Sequence, residues 1–249
     1  MLKEIEICLK RENRKEILYI TDDLMLLRNM KKEGKPVAAV LTEHNRWEDF
    51  SGISYALEQI EELEQEDFEK IYRRLSGLPW DILETERCCL REMTEEDLDA
   101  LYEIYSDESI TRYMEGLYEN PEEEREYITE YRKYVYEFYE YGMWVIEEKE
   151  NGRIIGRAGV DPRGEENELG YVIGKSWQGL GYAYEVCSAI VNYMWQQGGC
   201  EEIISRVHRE NEASVKLLEK LGFVKRKPNE GDKKEEAMEC YCIKKGGFR

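Results

Sequence analysis

The chain has 249 residues, with 55 Asp and Glu against 36 Lys and Arg and a formal charge of −19. So acidic a chain is not built for nucleic acid or an anionic membrane surface, both of which call for a basic face; its charge keeps the surface solvated and suits a cationic acceptor such as an amine. No apolar run nears the ~20 residues that span a bilayer, and the N-terminal segment lacks the apolar core of a secretory leader.

In chain order, Ile5–Leu9 and Ile17–Ile20 read as strands. Thr21 or Asp22 is placed to cap a helix in which Leu24, Leu27 and Met30 share a face, and Gly34 ends it. Pro36–Leu41 follows as a buried strand, which makes a βαβ unit with parallel strands. A charged helix covers Gln65–Leu75. Texture changes at Gly77-Leu-Pro-Trp80, so a small βαβ domain is set at 1–80, a linker at Asp81–Glu86 and a second domain at 87–249.

In the second domain, Leu98, Leu101, Tyr102 and Tyr105 share a helix face. Pro121–Tyr141 carries Tyr127, Tyr131, Tyr134 and Phe138 at helical steps, an aromatic stripe that suits core packing. Met143–Ile146, Arg153–Gly156 and Ala158–Val160 read as strands, with Asn151-Gly152 as a hairpin turn. Glu168–Gly174 continues the sheet. The chain then enters a helix through Gly179 and Gly181, where unpaired N–H groups and the positive end of the helix dipole converge on a spot that suits a diphosphate. Ile203–His208 is a further strand, Asn211 suits a helix cap, and Gly222 suits the left-handed position after that helix.

Gln178-x-x-Gly181-x-Ala183, Asn211-x-x-Ser214 and Leu221-Gly-Phe223, with the opening Cys89–Leu98, resemble the GNAT superfamily of acyl-CoA-dependent N-acetyltransferases, in particular its RimJ/RimL-like branch. The resemblance implies an α/β fold with a mixed, mostly antiparallel sheet, and attack of a primary amine on acetyl-CoA. It places the diphosphate on Gln178, Gly179, Leu180, Gly181, Tyr182 and Ala183, with Asn211 and Ser214 across the cleft and the main chain at Val172 and Ile173 along the pantetheine arm. It makes Glu168 the group that assists deprotonation of the acceptor, a protein N-terminus or a small amine. One departure is plain: Leu218 stands where many members carry a tyrosine that protonates the departing thiolate.

The first domain resembles the C-terminal part of haloacid-dehalogenase-type phosphatases, with the acidic pair Asp22-Asp23 after a strand but no Asp-x-Asp nucleophile motif. Seven cysteines without a Cys-x-x-Cys pair, and only two histidines, fit a reducing cytoplasm and leave no metal site to expect. Besides an acetyl-CoA-dependent N-acetyltransferase, the sequence leaves open an acyl-CoA-binding regulatory module without catalysis. A hydrolase built on Asp22 and Asp23 is the third reading.

Overall fold

A computed structural model describes residues 2–9, 13–197, 200–226 and 237–247. The chain divides into two compact units, Met1–Trp80 and Asp81–Arg249.

In the first unit, β1 (Leu2–Leu9) runs antiparallel to β2 (Arg14–Thr21). After α1 (Leu24–Lys32), β3 (Val37–Val40) lies parallel to β2, and the short β4 (Ala56–Leu57) lies parallel to β3. The helix α2 (Gln65–Leu75) completes the unit. Strand alternation sends Ala38 and Val40 toward Ile71 and Tyr72 of α2, and Val37 and Ala39 toward Leu27 and Met30 of α1. The cap of α1 is Asp23, one or two residues beyond the expected Thr21 or Asp22. Its carboxylate accepts from Met25 N and Leu26 N, because those two amides open the first turn. Asn45 ties the ends of the parallel strands together, donating to Asp22 O and Val40 O at 2.9 and 2.8 Å.

The second unit opens with β5 (Asp81–Glu84) and β6 (Cys88–Glu92), an antiparallel pair. The expected linker is therefore mostly strand: Ile82 and Leu83 pack against the core, which no free tether would do. Next come α3 (Leu98–Tyr105), α4 (Glu108–Thr111) and α5 (Pro121–Tyr131). Where a single helix to Tyr141 was expected, α5 passes through a wide π turn at Arg132–Tyr136 into α6 (Glu137–Tyr139). The turn sinks Tyr136 into the core, where its phenol accepts from Met93 N and donates to Met143 O.

The remaining elements are β7 (Met143–Glu148), β8 (Ile154–Arg163), β9 (Glu166–Ile173), α7 (Tyr182–Gln197), β10 (Glu202–His208), α8 (Glu212–Lys220), β11 (Val224–Lys225) and β12 (Met238–Lys244). The two expected strands around Arg157 are one, β8. The sheet order is β11-β12-β10-β9-β8-β7-β6-β5, and every neighbouring pair is antiparallel except β9 with β10. Val186, Cys187, Ile190, Val191 and Met194 of α7 cover one face of this sheet. Val172 on the other face packs with Ile104, Tyr105 and Ile110 of α3 and α4.

Candidate active site

The parallel pair β9/β10 meets at one position only, Ile204 opposite Glu168. Ser205 Oγ donates to Leu169 O at 2.9 Å beside it, and Arg206 pairs with Glu166 and Glu168. Beyond that point the strands part, and a cleft of about 570 Å³ runs along the last residues of β9. Its walls are Tyr171, Val172 and Ile173; Ile110, Tyr113 and Met114 of α4 and the loop after it; Lys175 to Ala183 except Ser176 and Leu180; and Asn211, Ser214 and Leu217 of α8.

Which main-chain groups of β9 face this opening follows from the ladder on its other side. Gly174 N donates to Ile155 O at 2.8 Å, so in the antiparallel register Val172 opposite Arg157 and Gly170 opposite Gly159 are also hydrogen-bonded pairs. Pro162, which has no N–H to give, opposes Asn167 in the alternate set. Tyr171 and Ile173 therefore turn their main chain toward the cleft, and Val172 turns its own toward β8. Of the expected main-chain pair Val172 and Ile173, the alternation turns Ile173 toward the cleft together with Tyr171, while Val172 contributes its side chain as a wall. The Ile173 carbonyl already accepts from Gln178 Nε2 at 3.0 Å, which folds the following turn back over the strand.

At the other end of the cleft, α7 starts without closing its first turn. Its first amide with an i−4 acceptor is Glu185 N, bonded to Gly181 O at 3.1 Å, so Tyr182, Ala183 and Tyr184 offer N–H groups with no intrahelical acceptor. Gly179 and Gly181 hold φ of 74° and 88°, a conformation that L side chains rarely adopt. This loop is braced from behind. Arg87 donates through Nη1 to Leu180 O at 3.0 Å, pairs through Nε with Glu185 at 2.7 Å, and lies 3.9 Å over the Tyr182 ring. The Tyr182 phenol donates to Glu148, and that bond pushes its pKa up to about 12.

Among the described residues, three cations line the cleft in this acidic chain: Arg112, Lys175 and Lys220. Lys220 sits 4.0 Å over the Tyr184 ring, and Lys175 donates to Ser109 Oγ at 3.3 Å. Arg112 and Lys220 were not among the expected residues. Lys220 had a legible signal, since Ser214, Leu217 and Lys220 recur at three-residue steps on one helix stripe. Arg112 had none, because a short helix far away in sequence delivers it.

Of the expected residues, Val172, Ile173, Gln178, Gly179, Gly181, Tyr182, Ala183, Asn211 and Ser214 line the cleft, while Leu180 and Glu168 do not. Asn211 caps α8 by accepting from Ser214 N at 3.2 Å. Glu168 lies at the joint of the splay. Its carboxylate takes Arg206 Nη1 at 2.8 Å and Arg163 Nε at 3.3 Å. Leu218 is fully buried in the core under α8. Tyr171 points its phenol into the same region, 3.5 Å from Ser214 O, and burial pushes its pKa well up, so it stays protonated.

Residues 87–224 match the family described as acetyltransferase (GNAT) domain. The chain belongs to the GNAT acetyltransferases. It is an N-acetyltransferase by family, and its splayed strands and open helix start stand in a GNAT fold. The GNAT domain is 35% identical over 150 residues to the uncharacterized N-acetyltransferase YoaA of Bacillus subtilis, covering 58% of this chain and 83% of that one. It is 36% identical over 102 residues to the [ribosomal protein uS5]-alanine N-acetyltransferase of Escherichia coli, covering 39% of this chain and 50% of that one. Among solved structures, the ribosomal-protein-S5-alanine acetyltransferase of Vibrio fischeri superposes with a TM-score of 0.56 at 16% identity, over 67% of this chain and 98% of that one. At that identity the likeness speaks for the fold.

Among the described residues no group of three His, Cys, Asp or Glu is placed to hold a metal ion, and no helix is long and apolar enough to cross a membrane.

Proposed function

We propose that the second unit binds acetyl-CoA in the splay between β9 and β10 and transfers the acetyl group to a primary amine, a peptide N-terminus or a small amine. The observation that carries this reading is the pairing of two features along one cleft. The outward main chain of Tyr171 and Ile173 suits an amide-bearing arm, and the open first turn of α7 suits a diphosphate, with Lys175, Arg112 and Lys220 adding charge. The family uses acetyl-CoA. The name of the Escherichia coli relative, an alanine N-acetyltransferase acting on a ribosomal protein, supports an α-amine as one acceptor.

In the reaction, the amine nitrogen bonds to the thioester carbon, the C–S bond breaks, and the amine gives up a proton. That proton ends, through solvent, on the departing thiolate, and the Tyr171 phenol, which burial keeps protonated, screens the sulfur by donating a hydrogen bond where Leu218 has none to give. Glu168, whose Oε2 is engaged by two guanidinium groups, enters this reading as the pin of the splay instead of the base. An α-amine with its ordinary pKa of about 7.7–8.0 is already partly neutral near pH 7.5 and needs less help than a lysine-like amine.

The test is release of free CoA from acetyl-CoA in the presence of short peptides, amino acids and polyamines. Amine-dependent thiol release is the expected result; tight acetyl-CoA binding without release under any amine would leave a binding module and sink the transfer.

A further inference from the structure

Resting on that reading, we infer that Arg157 selects acceptors that carry a carboxylate as well as the amine. The register places Arg157 of β8 directly opposite Val172 of β9, a wall of the cleft, and paired residues of an antiparallel ladder show their side chains on the same face. Tyr105, which packs with Val172 and Ile110 on that face, accepts from Arg157 Nε at 2.6 Å, and the guanidinium carbon lies 5.0 Å from its ring. The guanidinium thus stands one side chain away from the cleft, beside its wall residue Val172.

Its neighbours on the same face show what it lacks. Arg163 pairs with Asp161 and Glu168, and Arg206 pairs with Glu166 and Glu168. No described carboxylate lies within 4.0 Å of Arg157, in a chain with 55 acidic residues and 36 basic ones. Glu124, buried on the facing helix α5, spends one oxygen on Tyr118 N. Its charge is felt at Arg157, but no ion pair forms. A half-buried guanidinium held by one phenol keeps donors to spare for a partner. With Nε occupied, Nη1 and Nη2 have no acceptor among the described residues. Their planar geometry matches the two oxygens of a carboxylate. The carboxylate has two sources: the α-carboxylate of a free amino acid, or an acidic side chain beside a peptide N-terminus.

The test compares matched acceptors at saturating acetyl-CoA: phenylalanine with phenethylamine, and the tripeptide amide Ala-Asp-Ala with Ala-Asn-Ala. For at least one pair the wild-type protein is expected to favour the carboxylate-bearing member by about 10-fold or more in kcat/KM. Whichever pair shows the preference names the source. Arg157→Gln is expected to bring that ratio close to 1, and Arg157→Lys, which keeps the charge without the fork, to leave an intermediate ratio. Equal use of both members by the wild-type protein overturns the inference while leaving amine acetylation standing. So does a Gln variant that slows both members alike, which would make Arg157 a packing residue. Acetyl-CoA binding with no amine acetylated would instead remove the transfer reading, and this inference with it.

Discussion

At the scale of single residues, the proposed reading turns on Leu218 and Tyr171, which differ in what they could offer a departing thiolate. Leu218 is completely buried, so its side chain serves packing under α8, and a polar group there would be orphaned. Tyr171 brings a phenol to the cleft from the strand instead of the helix, and burial holds it protonated well beyond neutral pH. Tyr171→Phe is therefore expected to lower kcat by about 10²-fold, as loss of one hydrogen-bond donor to developing charge does, with acetyl-CoA affinity close to wild type. Stopped thiol-release kinetics and calorimetry separate the two. Glu168→Gln is expected to change kcat by less than about 10-fold. The amide oxygen of the Gln variant still gives its two guanidinium partners a hydrogen-bond acceptor, so the pin is kept. A loss of about 10²–10⁴-fold in the Glu168 variant, shrinking at high pH, would restore it as the base.

At the scale of elements, the loop from Gly179 to Tyr182 owes its shape to a residue over ninety positions earlier in the chain. Arg87 anchors the Leu180 carbonyl, the Glu185 carboxylate and the Tyr182 ring at once, which keeps the loop amides turned toward the cleft. Arg87→Gln is expected to raise the KM for acetyl-CoA by about 10-fold while kcat at saturation stays near wild type, because the brace acts on the cofactor site alone. Gly181→Val puts a β-branched residue at φ 88° and is expected to abolish CoA binding. Retention of native CoA affinity by a folded Gly181→Val protein would move the diphosphate elsewhere.

These two residues also show what the sequence could and could not tell. Gly181 was readable because a glycine pair before an apolar helical repeat has a local physical meaning. Arg87 was silent, since its role depends on the turn between β5 and β6 lying beside the start of α7, a fact of topology. The same distinction separates Asn211 and Gly222, whose capping chemistry is local, from Arg112, which reaches the cleft only through the fold. The one-residue shift from Val172 to Tyr171 has a similar origin. Alternation along a strand is legible, but its phase toward one neighbour is fixed by the other neighbour's register. Glu168 was read by position, and its two arginine partners, from β8 and β10, were invisible.

At the scale of the molecule, the division at Trp80/Asp81 gives a practical boundary. The second unit has its own continuous core and a complete eight-stranded sheet. A chain beginning at Asp81 is expected to fold and to bind acetyl-CoA. One beginning at Arg87 loses β5 and exposes the edge of β6, with Ile82 and Leu83 no longer covering the core. Its melting temperature is expected to fall by several degrees or more relative to the longer piece, at about 2–4 °C for each kcal/mol lost in a domain of this size. Equal melting of the two would show that β5 contributes little.

The lone bridge between β9 and β10 has a consequence for how this sheet is held together in solution. A seam that opens after one rung leaves backbone donors and acceptors in water that an ordinary ladder would have matched internally. On the proposed reading, the cofactor's amide arm would fill that gap in the manner of an added strand. Occupancy should then behave like strand addition, with the amides of Tyr171 and Ile173 becoming slow to exchange and the two halves of the sheet on either side of the seam melting as one.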